Sequence, residues 1–476
     1  MRRSSKANVD EPSWLALDRR AGETLRAALE RTLRNAIRGG ALREGVRLPS
    51  SRALAASLGV SRGVVRDAYG QLSAQGFLVT KPRAAPVVAA VPRADTRPRE
   101  PAPPAPSPRY DLTPTTPDVT LFPLNRWLAS AQRVARHAPV AMLDYRESRG
   151  ELELRAALAD HLGRTRGVIA EPEQIVVVQG TAQAVDLVLR VLAARGASRV
   201  AVEDPSHTTN HERIRALGLE LVGRPVDGNG LVVAGLEADA VLVTPAHQFP
   251  TGSVLSGERR RQLLAWSRER GGLIVEDDYD AEFRYDRVPV RALQGLAPAH
   301  VVQLGTVSKT LAPALRLGWL VAPPELVDEI ERVKLLVDIS SPALDQLTLA
   351  EFLRRGHYDR HVRRARATYG RRRERLLAAL ARHLPELPID GVAAGVHLLL
   401  RLPPGTSDTA ISEQAQRAGI ALTPLSSFRL VPPRTGGLVV GYGRLHESAV
   451  EPAIRALATV IARSPPARTR RSAASR

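Results

Sequence analysis

The segment Gly305-Thr306-Val307-Ser308-Lys309-Thr310-Leu311-Ala312-Pro313 follows the apolar run Val301 to Leu304, and Arg316 stands seven residues beyond its lysine. The 476-residue chain holds only four lysines, Lys6, Lys81, Lys309 and Lys334, and arginine supplies the rest of its basic side chains. With lysine so scarce, one placed in a hydroxyl-rich loop just past a strand is not a random surface charge. Schiff-base chemistry needs a lysine amine whose pKa its surroundings lower, and a guanidinium cannot replace it. Lys334, in the helix-like stretch Glu329 to Val337, reads instead as a snorkelling surface lysine.

Working outward, β-branched runs alternate with amphipathic helical stretches: Gln174 to Gln179, Arg199 to Glu203, Ala240 to Thr244, Gly272 to Glu276 and Val301 to Leu304. This alternation predicts an α/β body, a mostly parallel sheet covered by helices. Ligands of such sheets bind beyond the strand C-termini. After the first run, Gly180-Thr181-Ala182-Gln183 opens a helix over Ala184 to Leu192; it is either a phosphate-binding turn or a plain loop. After another comes Glu276-Asp277-Asp278-Tyr279-Asp280, read as a solvated acidic loop, a metal site or a strand-end carboxylate. Consecutive strand residues point to opposite sides, so at most alternate ones converge. An anion turn, a strand-end carboxylate, a lysine of low pKa and a nearby arginine are together what pyridoxal phosphate (PLP) requires.

The ends of the chain differ from this body. Of the net +19, residues 1–83 carry 16 basic against 7 acidic side chains, while 111–462 carry only +3. A basic module joined to a near-neutral body suggests a polyanion partner. Seven prolines between Pro92 and Pro108 mark an extended spacer. The expected order is an N-terminal arm (1–21), a helical module (22–83), a Pro-rich linker (84–110), the body (111–463) and a basic disordered tail (464–476). In the module, Leu25, Leu29, Leu33 and Ile37 line one helix face, Ser50 and Ser61 cap two further helices, and Phe77 to Lys81 reads as a strand. The second and third helices have helix-turn-helix proportions, with Arg62 and Arg66 at the start of the third. Absence of cysteine removes disulfides, thiolate catalysis and cysteine metal sites. No apolar run approaches the roughly 18 residues of a membrane span, and no signal peptide opens the chain, so a soluble cytoplasmic protein is expected.

Two sets of motifs carry a resemblance. Gly45-x-Arg47-Leu48-Pro49-Ser50-x-Arg52-x-Leu54-Ala55, Leu58-Gly59-Val60-Ser61-Arg62 and Tyr69-x-x-Leu72-x-x-x-Gly76-Phe77 resemble the GntR-type winged helix-turn-helix. In the body, Thr244-Pro245-x-His247-Gln248-Phe249-Pro250-Thr251-Gly252, the 276–280 acidic motif and the Lys309 segment resemble MocR-type regulators, which join that module to a fold-type I aminotransferase body with a smaller C-terminal α/β subdomain. The resemblance implies double-stranded DNA as partner, with Arg52, Arg62, Gly63 and Arg66 at contact positions and Lys81 and Arg83 at phosphates. The usual Gly-x-Gly turn of the wing is replaced by Pro82 to Pro86. The resemblance also implies PLP as cofactor: Lys309 in the Schiff base, Asp277 at the pyridinium nitrogen, Tyr279 at the ring O3′, His207 where a tyrosine usually stacks on the ring, and Thr181, Ala182, Thr306, Ser308 and Arg316 at the phosphate. Tyr145, in Tyr145-x-x-x-x-Gly150-x-x-x-Leu154-Arg155, matches a tyrosine contributed by the partner subunit of a homodimer. No metal is implied.

Two departures bear on function. Thr209 stands where an amino-acid-responsive relative has arginine, and Val439 where aminotransferases carry the arginine that clamps a substrate carboxylate; Arg429, Arg434 and Arg444 are the cations left to replace it. These features imply a transcription regulator in which PLP, or a ligand adduct on it, modulates DNA binding without net enzymatic turnover, with vitamin B6 synthesis as the target by analogy. The alternative is a working aminotransferase with an accessory DNA-binding module.

Overall fold

The computed structural model describes residues 17–81, 84–90, 107–286, 290–431 and 436–463, and the chain divides into two compact units, Met1–Ala105 and Pro106–Arg476. In the first, helices span Leu25–Arg38, Ser51–Leu58 and Arg62–Ala74. The side chains of Thr24, Ser50 and Ser61 each accept a hydrogen bond from the N–H three residues on, using a donor the first turn leaves free. Leu29, Leu33, Leu54, Val65, Ala68 and Leu72 form the core. The Tyr69 hydroxyl donates to the Pro49 carbonyl at 3.0 Å, tying the third helix to the approach of the second.

Leu78–Val79 pairs antiparallel with Val87–Val88, with Val88 buried. The strand is shorter than expected, and residues 84–90, assigned to the linker by their flanking prolines, belong to the wing. Proline content could not reveal this, because the pairing partner lies beyond the turn. At the other end of the spacer, Tyr110–Asp111 pairs in parallel with Ile420–Ala421, so the body begins before residue 111. Arg83 and the tail 464–476 lie outside the described residues.

The body is built on eight strands in the order Ile175–Val178, Gly318–Val321, Val301–Thr306, Leu273–Asp277, Ala240–Val243, Arg199–Asp204, Glu220–Asp227, Gly230–Leu231. Gly318–Val321 runs antiparallel to both neighbours and Gly230–Leu231 to its one; the other six share a direction. Side chains alternate between two cores. Val200, Val202, Leu242, Val275 and Val302 pack with helices Thr181–Ala194 and Pro324–Asp338, whereas Ala201, Val241, Ile274 and Val301 pack with Gly257–Arg270. Gly305 is required because the Trp319 indole comes within 2.4 Å of where its Cβ would stand.

Lys334 is not at the surface: in helix Pro324–Asp338 its side chain is fully buried, and its Nζ donates to Asp338 Oδ1 at 2.8 Å. Helical periodicity around residue 334 does not show which distant element covers it. A second, antiparallel sheet in the order Ile389–Asp390, His397–Arg401, Gly437–Gly441, Thr423–Pro424 forms the C-terminal subdomain with helices His357–His383 and Val450–Ala462. Among the described residues, no helix is long and apolar enough to cross a membrane.

Candidate functional site

The C-terminal ends of the parallel strands open into one pocket. Thr181, Ala182, His207, Asp277, Tyr279, Thr306, Ser308, Lys309 and Arg316 all line it, although they come from five separate stretches of chain. Gly180, at φ +96°, turns the chain from its strand into helix Thr181–Ala194, so the first N–H groups of that helix are free of intrahelical partners. Arg316 donates to the Gln179 carbonyl, and its guanidinium lies 3.3 Å from where a Gly180 Cβ would be. Thr306 Oγ1 contacts the Leu317 carbonyl at 3.0 Å and Ser308 Oγ at 2.9 Å, and it accepts from the Ser308 N–H at 3.1 Å. Free N–H groups, two hydroxyls and a guanidinium thus converge as an anion cup.

The acidic motif splits by strand alternation. Glu276 points away from the pocket and accepts from the N–H groups of Leu293 and Gln294, and Asp278 makes a bidentate pair with Arg166 at 2.6 and 2.9 Å. Asp277 faces the pocket. Burial, reinforced by Asp278, pushes its carboxyl up to about 7, and its Oδ1 is buried without a partner. The Lys309 amine is held below its ordinary range by burial, against the opposing pull of Asp280 and Asp277. Its loop is fixed by Tyr358, whose hydroxyl donates to Thr310 Oγ1 at 2.9 Å, and by His361, whose Nε2 lies 2.6 Å from the Thr310 carbonyl.

Further residues in and behind the pocket had no role assigned from the sequence. Glu203, fully buried at a strand end, accepts from Thr244 N and Oγ1 at 3.0 and 2.6 Å, and burial raises its carboxyl to about 7. Behind Tyr279, whose hydroxyl burial drives well above its ordinary pKa, His247 Nδ1 lies 3.3 Å from that hydroxyl and 2.9 Å from Asp280 Oδ2, with the His397 ring 4.8 Å from the His247 ring. Phe249 sits 5.3 Å from His207, ring centre to ring centre. The signal for Glu203, a carboxylate closing an apolar strand, was present in the sequence; His397 had none, because it comes from the other subdomain.

At the other end of the pocket, no cation clamp stands at the two positions singled out in the sequence. Val439 is fully buried against Leu399 and Leu425. Thr209 Oγ1 lies 3.1 Å from His207 Nδ1. Arg444 pairs with Asp111, Arg429 does not line the pocket, and Arg434 lies outside the described residues. Tyr145 is 83% exposed and does not line its own chain's pocket.

In the first unit, Arg52, Arg62 and Arg66 are all exposed; Arg62 Nε lies 3.4 Å from Ser51 Oγ, and Arg66 is loosely paired with Asp67 at 3.6 Å. Gly63 leaves the first turn of the third helix without a side chain, and a Cβ there would meet only Ser61 Oγ, at 3.7 Å. Lys81 is exposed beyond the first wing strand.

Residues 25–88 match the family described as bacterial regulatory proteins, gntR family, and residues 115–457 match aminotransferase class I and II. The regulatory protein MocR of Rhizobium meliloti, described as a probable rhizopine catabolism regulator, is 32% identical over 93% of this chain and 95% of its own. This chain belongs to the MocR-type regulators. Another of these, the pyridoxine biosynthesis transcriptional regulator PdxR of Corynebacterium glutamicum, is 32% identical over 92% of this chain and 96% of its own. Among solved structures, the MocR-type body resembles an archaeal alanine:glyoxylate aminotransferase (TM-score 0.69, 28% identity, 74% of this chain and 90% of that one). It also resembles the Thermus thermophilus α-aminoadipate aminotransferase LysN, solved with N-(5′-phosphopyridoxyl)-L-leucine (TM-score 0.67, 26% identity, 74% and 92%).

PLP is the cofactor of the aminotransferase body, and the residues present fit it. The unpartnered Asp277 Oδ1 suits a pyridinium N–H, the anion cup suits a phosphate, and the Lys309 amine of lowered pKa suits an aldehyde.

Proposed function

We propose that this protein is a homodimeric, cytoplasmic transcription regulator for which PLP is the signal. The observation that carries this reading is a pocket lined for the cofactor, with Lys309, Arg316 and His207 its only basic lining residues among the described ones, in the same chain as an exposed helix carrying Arg62 and Arg66. When bound, PLP supplies an electrophilic aldehyde carbon and an electron-withdrawing ring. Lys309, whose amine burial holds below its ordinary pKa range, provides the nucleophile. Asp277 holds a proton toward the ring nitrogen. Thr181, Ala182, Thr306, Ser308 and Arg316 bind the phosphate, with Tyr145 reaching it from a partner subunit. Exposed Val140, Leu143 and Tyr145 (84, 81 and 83%) support a partner on that face. A ligand shifts DNA binding only in so far as its affinity differs between the two forms. Arg62 and Arg66 read base edges, and Lys81 holds phosphates.

The test is binding of cofactor-stripped protein to the DNA upstream of its own coding region, with and without PLP at one salt concentration. A change in affinity or footprint is expected. Arg62→Ala should weaken specific binding more than non-specific, and Lys81→Ala both alike. Specific binding indifferent to PLP points to another ligand. Steady turnover of an amino acid, lost in Lys309→Ala, would favour an aminotransferase instead.

A further inference from the structure

Lys334 is fully buried but does not line the pocket. A charge so buried is costly unless paired, and its partner is Asp338 one turn on. The carboxylate also reaches elsewhere: Asp338 Oδ2 accepts from Gln183 Nε2 at 2.7 Å and from Gln179 Nε2 at 3.4 Å. Gln183 Oε1 in turn accepts from the Gln179 N–H at 2.7 Å. These two glutamines flank Gly180-Thr181-Ala182, the turn that forms one wall of the anion cup. Asp338 therefore grips both flanks of the turn, while Arg316 grips its Gln179 carbonyl.

We propose that Asp338 is a positioning residue for the phosphate of the bound cofactor, and that Lys334 cancels the charge by which Asp338 would otherwise repel that phosphate. The carboxylate holds the turn so that its N–H groups are set before the anion arrives, and less ordering remains to be done on binding. A neutral side chain at residue 334 would leave an uncompensated anion beside the cup. The assignment rests on the pocket taking PLP.

The test compares PLP with pyridoxal, which lacks the phosphate, titrated by absorbance into cofactor-stripped full-length protein. Asp338→Asn should weaken PLP roughly tenfold and pyridoxal less than about twofold. Lys334→Met should weaken PLP by on the order of a hundredfold, and adding Asp338→Asn to it should restore part of the loss. Gln183→Ala leaves the buried pair intact and should give the same phosphate-selective loss, which serves if Lys334→Met does not fold. Equal losses for both aldehydes in Asp338→Asn and Gln183→Ala, or no loss for either, overturn the proposal. A double variant no better than Lys334→Met overturns the role given to Lys334. Wild-type protein that binds neither aldehyde overturns the PLP reading itself, whereas normal wild-type binding with unselective variants overturns only the positioning role.

Discussion

At the anion-cup end of the pocket, Thr181, Ala182, Thr306, Ser308 and Arg316 gather N–H groups, hydroxyls and a guanidinium, and Asp338, paired with Lys334, holds Gln183 beside them. At the end where an aminotransferase grips its substrate, the corresponding positions hold Thr209 and a valine sealed between Leu399 and Leu425. The difference teaches that holding a cofactor and holding a substrate are separable: the first uses the strand ends of the large sheet, the second a few side chains that can be lost without disturbing it. The proposed role as a cofactor sensor needs only the first of these.

The comparison can be broken in several ways. Lys309→Ala should abolish the covalent absorbance of bound PLP and, with it, the PLP response of DNA binding. Val439→Arg, an attempt to install the missing clamp, should cost about 3 to 5 kcal/mol of stability in denaturant unfolding, because the new charge enters a fully buried site without a partner. A soluble, fully stable variant that turns over amino acids would show that end to be open after all. Arg316→Ala should weaken PLP by roughly a hundredfold while sparing pyridoxal, since a charge-assisted contact to phosphate is lost. An amino acid and the matching amine without its carboxylate should react with the PLP-loaded protein at rates within about threefold, because no bidentate clamp distinguishes them; a hundredfold preference for the amino acid would break the comparison.

The smallest effect is in pH. Asp277 has its carboxyl raised from 3.8 to about 7, chiefly by burial. A carboxyl raised on folding contributes stability that is fully present below its unfolded value and lost as pH rises toward its folded one. The stability of cofactor-free wild type, measured relative to Asp277→Asn, should therefore fall between about pH 4 and 7 and level off above. A difference that stays flat across that window would remove the burial argument for Asp277.

How far the sequence could be read depended on how local each signal was. Caps at Ser50 and Ser61, the apolar face of the first helix and the strand–loop placement of Lys309 all lie within a few residues of what they specify. So does the alternation that turns Asp277 inward while Glu276 and Asp278 turn outward. Lys334 was misread because its cover comes from another helix, and Val87–Val88 because its partner lies across a proline-bounded turn. Val439 is legible in the sequence as a side chain that cannot pair with a carboxylate, but only the packing of the small sheet shows that it is buried with Leu399 and Leu425.

The chain by itself therefore determined the two-part architecture, the cofactor and many of the residues that line the pocket, since helix caps, strand alternation and strand-end loops are encoded by near neighbours. Tertiary structure alone decided which partners the charged groups around them find: Arg166 with Asp278, 112 residues apart, and Asp338 with Gln183, 155 apart. The reason is physical. A buried charge is tolerated only where the fold brings it a partner, and sequence distance carries no record of that meeting.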